Sequence, residues 1–241
     1  MTSPNKANHT AQRSPSGSVP FFIYLILAIV IMQANSWIIP IIGWLDIPFG
    51  YFRTYFHEMS HGLAALLTGG EAGPFVQNLN GGGHILILGG WPVVTLFAGY
   101  AGTFIFGALI YLMAADGNHR RSSLLSHFIA GIVALTAIFW VRDLITAGIV
   151  LFIILSFGLL GRWDNMITHS LFRFIGMFVV LSGIYAPTWQ YFYLLRGDQT
   201  SDAGQLALQT GIPAVIWIGL WVLCGFLTLL LMYRWEKRGG L

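Results

Sequence analysis

The chain has 241 residues, 56% of them hydrophobic and only 9% charged, with a net charge of +3. An ordinary soluble domain carries roughly 25% charged residues, so this composition excludes one, and the long apolar runs exclude the short alternating segments of a β-barrel. The basic residues sit in short loops between apolar runs and read as topology determinants, with no nucleic-acid partner implied; the single cysteine, Cys224, excludes an internal disulfide.

Residues 1 to 20 are polar and read as a disordered tail without the shape of a signal peptide, and 21 to 241 read as a single transmembrane domain. Phe21 to Trp44 is long enough to span a bilayer. A turn at Asp46-Ile47-Pro48 is expected to lead into a second helix that stops at Gly69-Gly70. Between Gly70 and Gly90 the composition turns to Gly and Asn, which predicts a loop with one or two short strands at or dipping into the membrane surface.

Trp91 to Met113 is the next span, and its Gly99, Gly102 and Gly107 let helices approach closely. Leu124 to Leu160 is too long for one span and divides at Arg142-Asp143. A further span runs from Ile167 to Ala186, where Pro187 is expected to end it. The aromatic stretch Trp189 to Tyr193 suits the membrane interface, and a polar loop with a short helix at Gly204 to Gln209 precedes the last span, Ile212 to Tyr233.

The fold class is therefore an all-α polytopic membrane protein of about seven transmembrane helices, with a short Gly-rich, membrane-associated loop of β character after the second. The loops at Arg120-Arg121 and Arg162 and the C-terminal tail fall on one face. By the positive-inside rule that face is cytoplasmic, although the same tracing puts Lys6 and Arg13 outside.

The second helix carries His57-Glu58-Met59-Ser60-His61-Gly62. Residues four apart share a helix face, so both imidazoles can meet one metal ion, and Glu58, about 100° round, can reach a water there. Two buried histidines alone would fit structural hydrogen bonds. Three ionisable groups within five residues of an apolar helix are harder to explain that way, because a charged group at a helix centre costs ~2.5 to 3.5 kcal/mol on insertion scales.

Zinc requires at least a third protein ligand. Asp46 and Glu71 flank the motif helix in turns, Asp116 and Asp164 lie beside arginines, and Glu236 is in the tail, which leaves Asp143 and Asp202, with Asp198 a distant third. Asp143 interrupts an apolar run, where a carboxylate needs a partner; its bland reading is an ion pair with Arg142 or an interfacial turn. Asp202 precedes a short helix, and its bland reading is an N-cap. His84 follows three glycines and reads as a surface-loop histidine, with no partner at a fixed spacing.

With the motif placed, the chain resembles the site-2 protease class of intramembrane zinc metallopeptidases, in its M50B-like branch. The likeness rests on Phe56 to Gly62, Leu67-Thr68-Gly69-Gly70, Ala98-Gly99-Tyr100-Ala101-Gly102, Trp140-Val141-Arg142-Asp143 and Thr200-Ser201-Asp202-Ala203-Gly204. It implies Zn2+ on His57, His61 and an aspartate, with Glu58 as base. Site-2 proteases proper place the aspartate in an Asp-Gly motif, which the later spans here lack. In the resembling branch Ser-Asp-Ala marks the acidic position and asparagine often stands where Asp143 is, which points to Asp202.

The expected function is an intramembrane zinc metalloprotease that cleaves peptide bonds in or near transmembrane segments of membrane-protein substrates. The expected location is the lipid bilayer, the plasma (inner) membrane if the source is bacterial. Two other readings stand beside it: a scaffold or chaperone with a structural metal, and a small transporter with a midplane site at Asp143. A transporter would be expected to show an internal repeat, and none is visible.

Overall fold

The computed structural model describes residues 21–37, 40–115, 118–197 and 199–238; the 1–20 tail, Asp116 and Asp198 lie outside them. In chain order the elements are α1 (Phe21–Trp37), α2 (Pro40–Leu67), β1 (Glu71–Gln77), β2 (Gly83–Leu88) and α3 (Pro92–Ala115). They continue with α4 (His119–Trp140), α5 (Leu144–Leu160), α6 (Met166–Leu194), α7 (Asp202–Thr210) and α8 (Ala214–Lys237).

Four of these helices, α3, α4, α6 and α8, are long and apolar enough to cross a membrane, against the seven spans expected. The difference has a physical origin. α5 (Leu144–Leu160) is apolar but short, α1 is described over the 17 residues Phe21–Trp37, and α2 carries Asp46, Arg53, His57, Glu58 and His61, which lower its hydropathy. Large apolar side chains on the outside, such as Ile138, Leu144, Phe226 and Leu231, are what a hydrocarbon solvent selects. The chain is an integral membrane protein.

α6 is the central post, because it contributes to both apolar cores. One core joins Phe52, Phe56, Ile153 and Phe157 to Val179; the other joins Tyr24, Tyr111 and Trp221 to Met177 and Phe178. Glycines set the α3 to α6 spacing: a Cβ on Gly107 would stand 2.8 Å from the Val180 nitrogen, and one on Gly176 would stand 2.5 Å from the Tyr111 nitrogen. Backbones that close leave room for no side chain.

Two expected breaks are absent. The turn at Asp46-Ile47-Pro48 is helical: α2 starts at Pro40 and holds Pro48 in its interior, with Asp46 buried 3.9 Å from Arg53. Likewise α6 runs through Pro187 to Leu194, so the aromatic stretch is helical. A proline inside a helix removes one backbone bond, at ~3 kcal/mol. In α6 that loss is outweighed by the apolar surface buried along Phe172 to Leu181, each fully buried side chain contributing ~1.5 to 3 kcal/mol.

The break at Arg142-Asp143 falls where the sequence places it. Asp143 caps α5 by accepting from the Thr146 nitrogen at 2.9 Å, which keeps its carboxyl below the usual carboxylate range. Arg142 does not pair with it. Its guanidinium donates to the Ile138 carbonyl at 3.1 Å, to the Val141 carbonyl at 2.7 Å and to that of Phe139, closing the C-terminus of α4.

The Gly-rich stretch forms a two-stranded antiparallel hairpin, registered from Glu71 opposite Leu88 to Gln77 opposite Gly83. Its ends meet at Gly70 and Gly90, where a Cβ on Gly70 would stand 2.6 Å from the Gly90 nitrogen. The hairpin lies along α2. Thr54 donates to the Gly81 carbonyl at 2.6 Å, Tyr51 to that of Leu79 at 3.0 Å, and the Gln77 amide to that of Tyr51 at 2.9 Å.

Candidate metal centre

The four-residue spacing on α2 brings Nε2 of His57 and Nε2 of His61 to 3.1 Å. Asp202, the first residue of α7, supplies the third corner. Its Oδ2 stands 3.1 Å from His57 Nε2 and 3.4 Å from His61 Nε2. Among the described residues, these three form the group that could hold a metal ion.

Each corner is fixed by its own neighbours. His61 Nδ1–H donates to the Thr95 carbonyl at 2.7 Å, in the first turn of α3. That bond consumes the ring's proton on Nδ1 and leaves Nε2 as a bare lone pair facing the cluster. The His57 ring lies against the buried Tyr100, centroids 4.4 Å apart. Gly99 is the point of α3 that faces the two imidazoles, and any Cβ there would run into both rings. Ser201 caps α7 by accepting from the Gly204 nitrogen at 3.2 Å, so Asp202 is released from capping.

The donor set fits a metal. A tetrahedral ion with ligand bonds of ~2.0 to 2.1 Å has its donor atoms about 3.3 Å apart, and the three edges are 3.1, 3.1 and 3.4 Å. Asp202 Oδ2 is moreover buried without a hydrogen-bond partner, an orphaned acceptor that a cation would satisfy.

Glu58 stands beside this triangle. Its Oε2 accepts from the Ile85 nitrogen of β2 at 3.1 Å. That N–H therefore points away from β1, and the outer edge of β2 faces the carboxylate.

Of the residues expected from the sequence, His57, His61, Glu58 and Asp202 come together, whereas Asp143 is the cap of α5. His84 is exposed on β2, outside the cluster. Glu236, set aside as a tail residue, pairs with the buried Arg173 of α6. The Thr95 carbonyl and the Ile85 N–H escape sequence reading because they are main-chain groups, which every residue type but proline carries in full. Gly99 shows only as a small residue on a helix, and its contact with the imidazoles needs the fold.

A histidine pair four apart with a neighbouring glutamate, completed by a distant carboxylate inside an apolar helical bundle, defines a membrane protein of the metallopeptidase kind. The chain belongs to the Peptidase M50B-like family, whose model matches residues 22–232. No curated protein and no solved structure matches it.

Proposed function

We propose that this protein is an intramembrane zinc endopeptidase that cleaves membrane-protein substrates in or near their transmembrane segments. The observation that carries the reading is the triangle of His57, His61 and Asp202 with Glu58 at its side. His57, His61 and Asp202 hold the ion, and His61 is locked in the ligating tautomer by Thr95. When bound, zinc supplies Lewis acidity, which acidifies a water and polarises a carbonyl.

Glu58 takes the proton from the attacking water and returns it to the leaving nitrogen. The Ile85 N–H orients the carboxylate for both transfers. A substrate helix must first unwind, because its carbonyls are held by backbone hydrogen bonds. The outer edge of β2 offers main-chain groups to the unwound strand, as in β-strand addition.

The test is cleavage of a co-expressed single-span membrane substrate by the wild type and by Glu58→Gln. The variant retains its metal and loses cleavage. Undiminished cleavage would remove Glu58 as the base.

A further inference from the structure

A cavity of about 460 Å³ opens between α3 and α8, away from the metal centre. Its walls are apolar: Phe104, Ala108 and Leu112 follow one face of α3 at a spacing of four, and Leu231 and Met232 face them from α8. From Phe104 to Leu112 the groove runs roughly 12 Å at 1.5 Å per residue. Arg234 and Arg238, also four apart, line it together with Trp235.

The charge at that end is set by a second arrangement. Glu236, between the two arginines in sequence, is turned inward to Arg173, and the Tyr111 hydroxyl donates to it at 2.5 Å. Lys237 lies over the Tyr233 ring, 5.0 Å from its centroid. Glu236, the carboxylate nearest to Arg234 and Arg238 in sequence, is thus spent on a buried cation, and among the described residues no carboxylate pairs with either arginine. The larger cavity between α1, α6 and α8, of about 720 Å³, has no cation in its lining.

We infer that the groove between α3 and α8 binds an anionic phospholipid, with an acyl chain against Ala108 and Leu231 and the phosphate between Arg234 and Arg238. Basic pockets between membrane helices at the positively charged face bind anionic lipid headgroups, and Trp235 suits the headgroup level. The apolar walls select an amphiphile over a free phosphate. Arg120 and Arg121 in the first turn of α4 and Arg162 in the loop before α6 are also near helix ends, but do not line the groove.

The full chain, purified in neutral detergent, is titrated with phosphatidylglycerol, with phosphatidylcholine of the same acyl chains, and with glycerol phosphate, and retention is read by native mass spectrometry. Phosphatidylglycerol is expected to be retained at least tenfold better than either of the others. Replacing both arginines (Arg234→Gln with Arg238→Gln) weakens its retention roughly thirty-fold, since each cation near the surface contributes ~1 kcal/mol and tenfold is ~1.4.

Arg162→Gln leaves retention unchanged. Ala108→Phe fills the groove without altering charge and abolishes retention. Ile105→Trp, at a lining position 60% exposed and tolerant of a larger ring, weakens it where Ala108→Phe does not fold. Equal retention of the two lipids would overturn the inference, as would full retention in the double arginine variant or in a folded groove-filling variant. Glycerol phosphate bound as well as the lipid would overturn it too, by making the site one for free phosphate.

Discussion

Gly99 and His61 are in closer contact than any other residue type at position 99 would permit: a Cβ there would overlap the His61 ring at Cε1 and Nε2, and would also stand 2.6 Å from Cε1 of His57. The candidate metal centre is thus shaped by an absent side chain on α3. Gly99→Ala is expected to push both imidazoles off the triangle and weaken metal binding roughly 10- to 100-fold, the range for losing a group that orients a ligand. Metal retention after dialysis against a weak chelator measures this, and wild-type retention would show that the rings accommodate a methyl group.

Asp202 and Asp143 should part cleanly on substitution. Asp202→Ala removes a corner of the triangle and is expected to abolish metal binding. Asp143→Ala removes only the cap on Thr146 and is expected to cost about 1 kcal/mol of stability with metal content unchanged. Side-by-side metal analysis and thermal unfolding decide it. Metal loss in Asp143→Ala with retention in Asp202→Ala would reverse the assignment.

Arg173 is 6% exposed and depends on Glu236 for its countercharge. Breaking a buried pair by removing one partner costs ~3 to 5 kcal/mol, and the partial exposure of Glu236 reduces that to about 2 to 3 kcal/mol here. Glu236→Gln is therefore expected to lower Tm with metal content unaffected. An unchanged Tm in detergent would mean that Arg173 finds another partner.

Stripping the metal should loosen the α2 and α7 arrangement that the three candidate ligands join. A strong chelator is expected to lower the Tm of the wild type, and re-addition of zinc to restore it, because an ion that binds only the folded state stabilises it. The variant His57→Ala with His61→Ala is expected to show no shift with either reagent. A chelator shift of the same size in that variant would place the metal elsewhere.

Much of this was legible in the sequence, for identifiable reasons. The spacing of His57, Glu58 and His61 fixes their relative directions on any helix, and the charged pair Arg142-Asp143 marks the one break in a run too long for a single span. The prolines misled because Pro48 and Pro187 each remove only one hydrogen bond, and tertiary packing decides whether a helix survives that loss. The third candidate ligand was ambiguous because an aspartate at a helix start has two uses. At α5 the aspartate itself caps; at α7 Ser201 caps in its place and Asp202 turns to the histidines. The groups that orient His61 and Glu58 are main-chain atoms of Thr95 and Ile85, and no side-chain pattern announces them.

The most direct test of the proposed centre is the zinc content of the purified full chain and of Asp202→Ala, measured by elemental analysis on folded, monodisperse protein. The geometry leads to about one zinc per wild-type chain and almost none in the variant. A wild type without zinc, or a variant with its full complement, would contradict it.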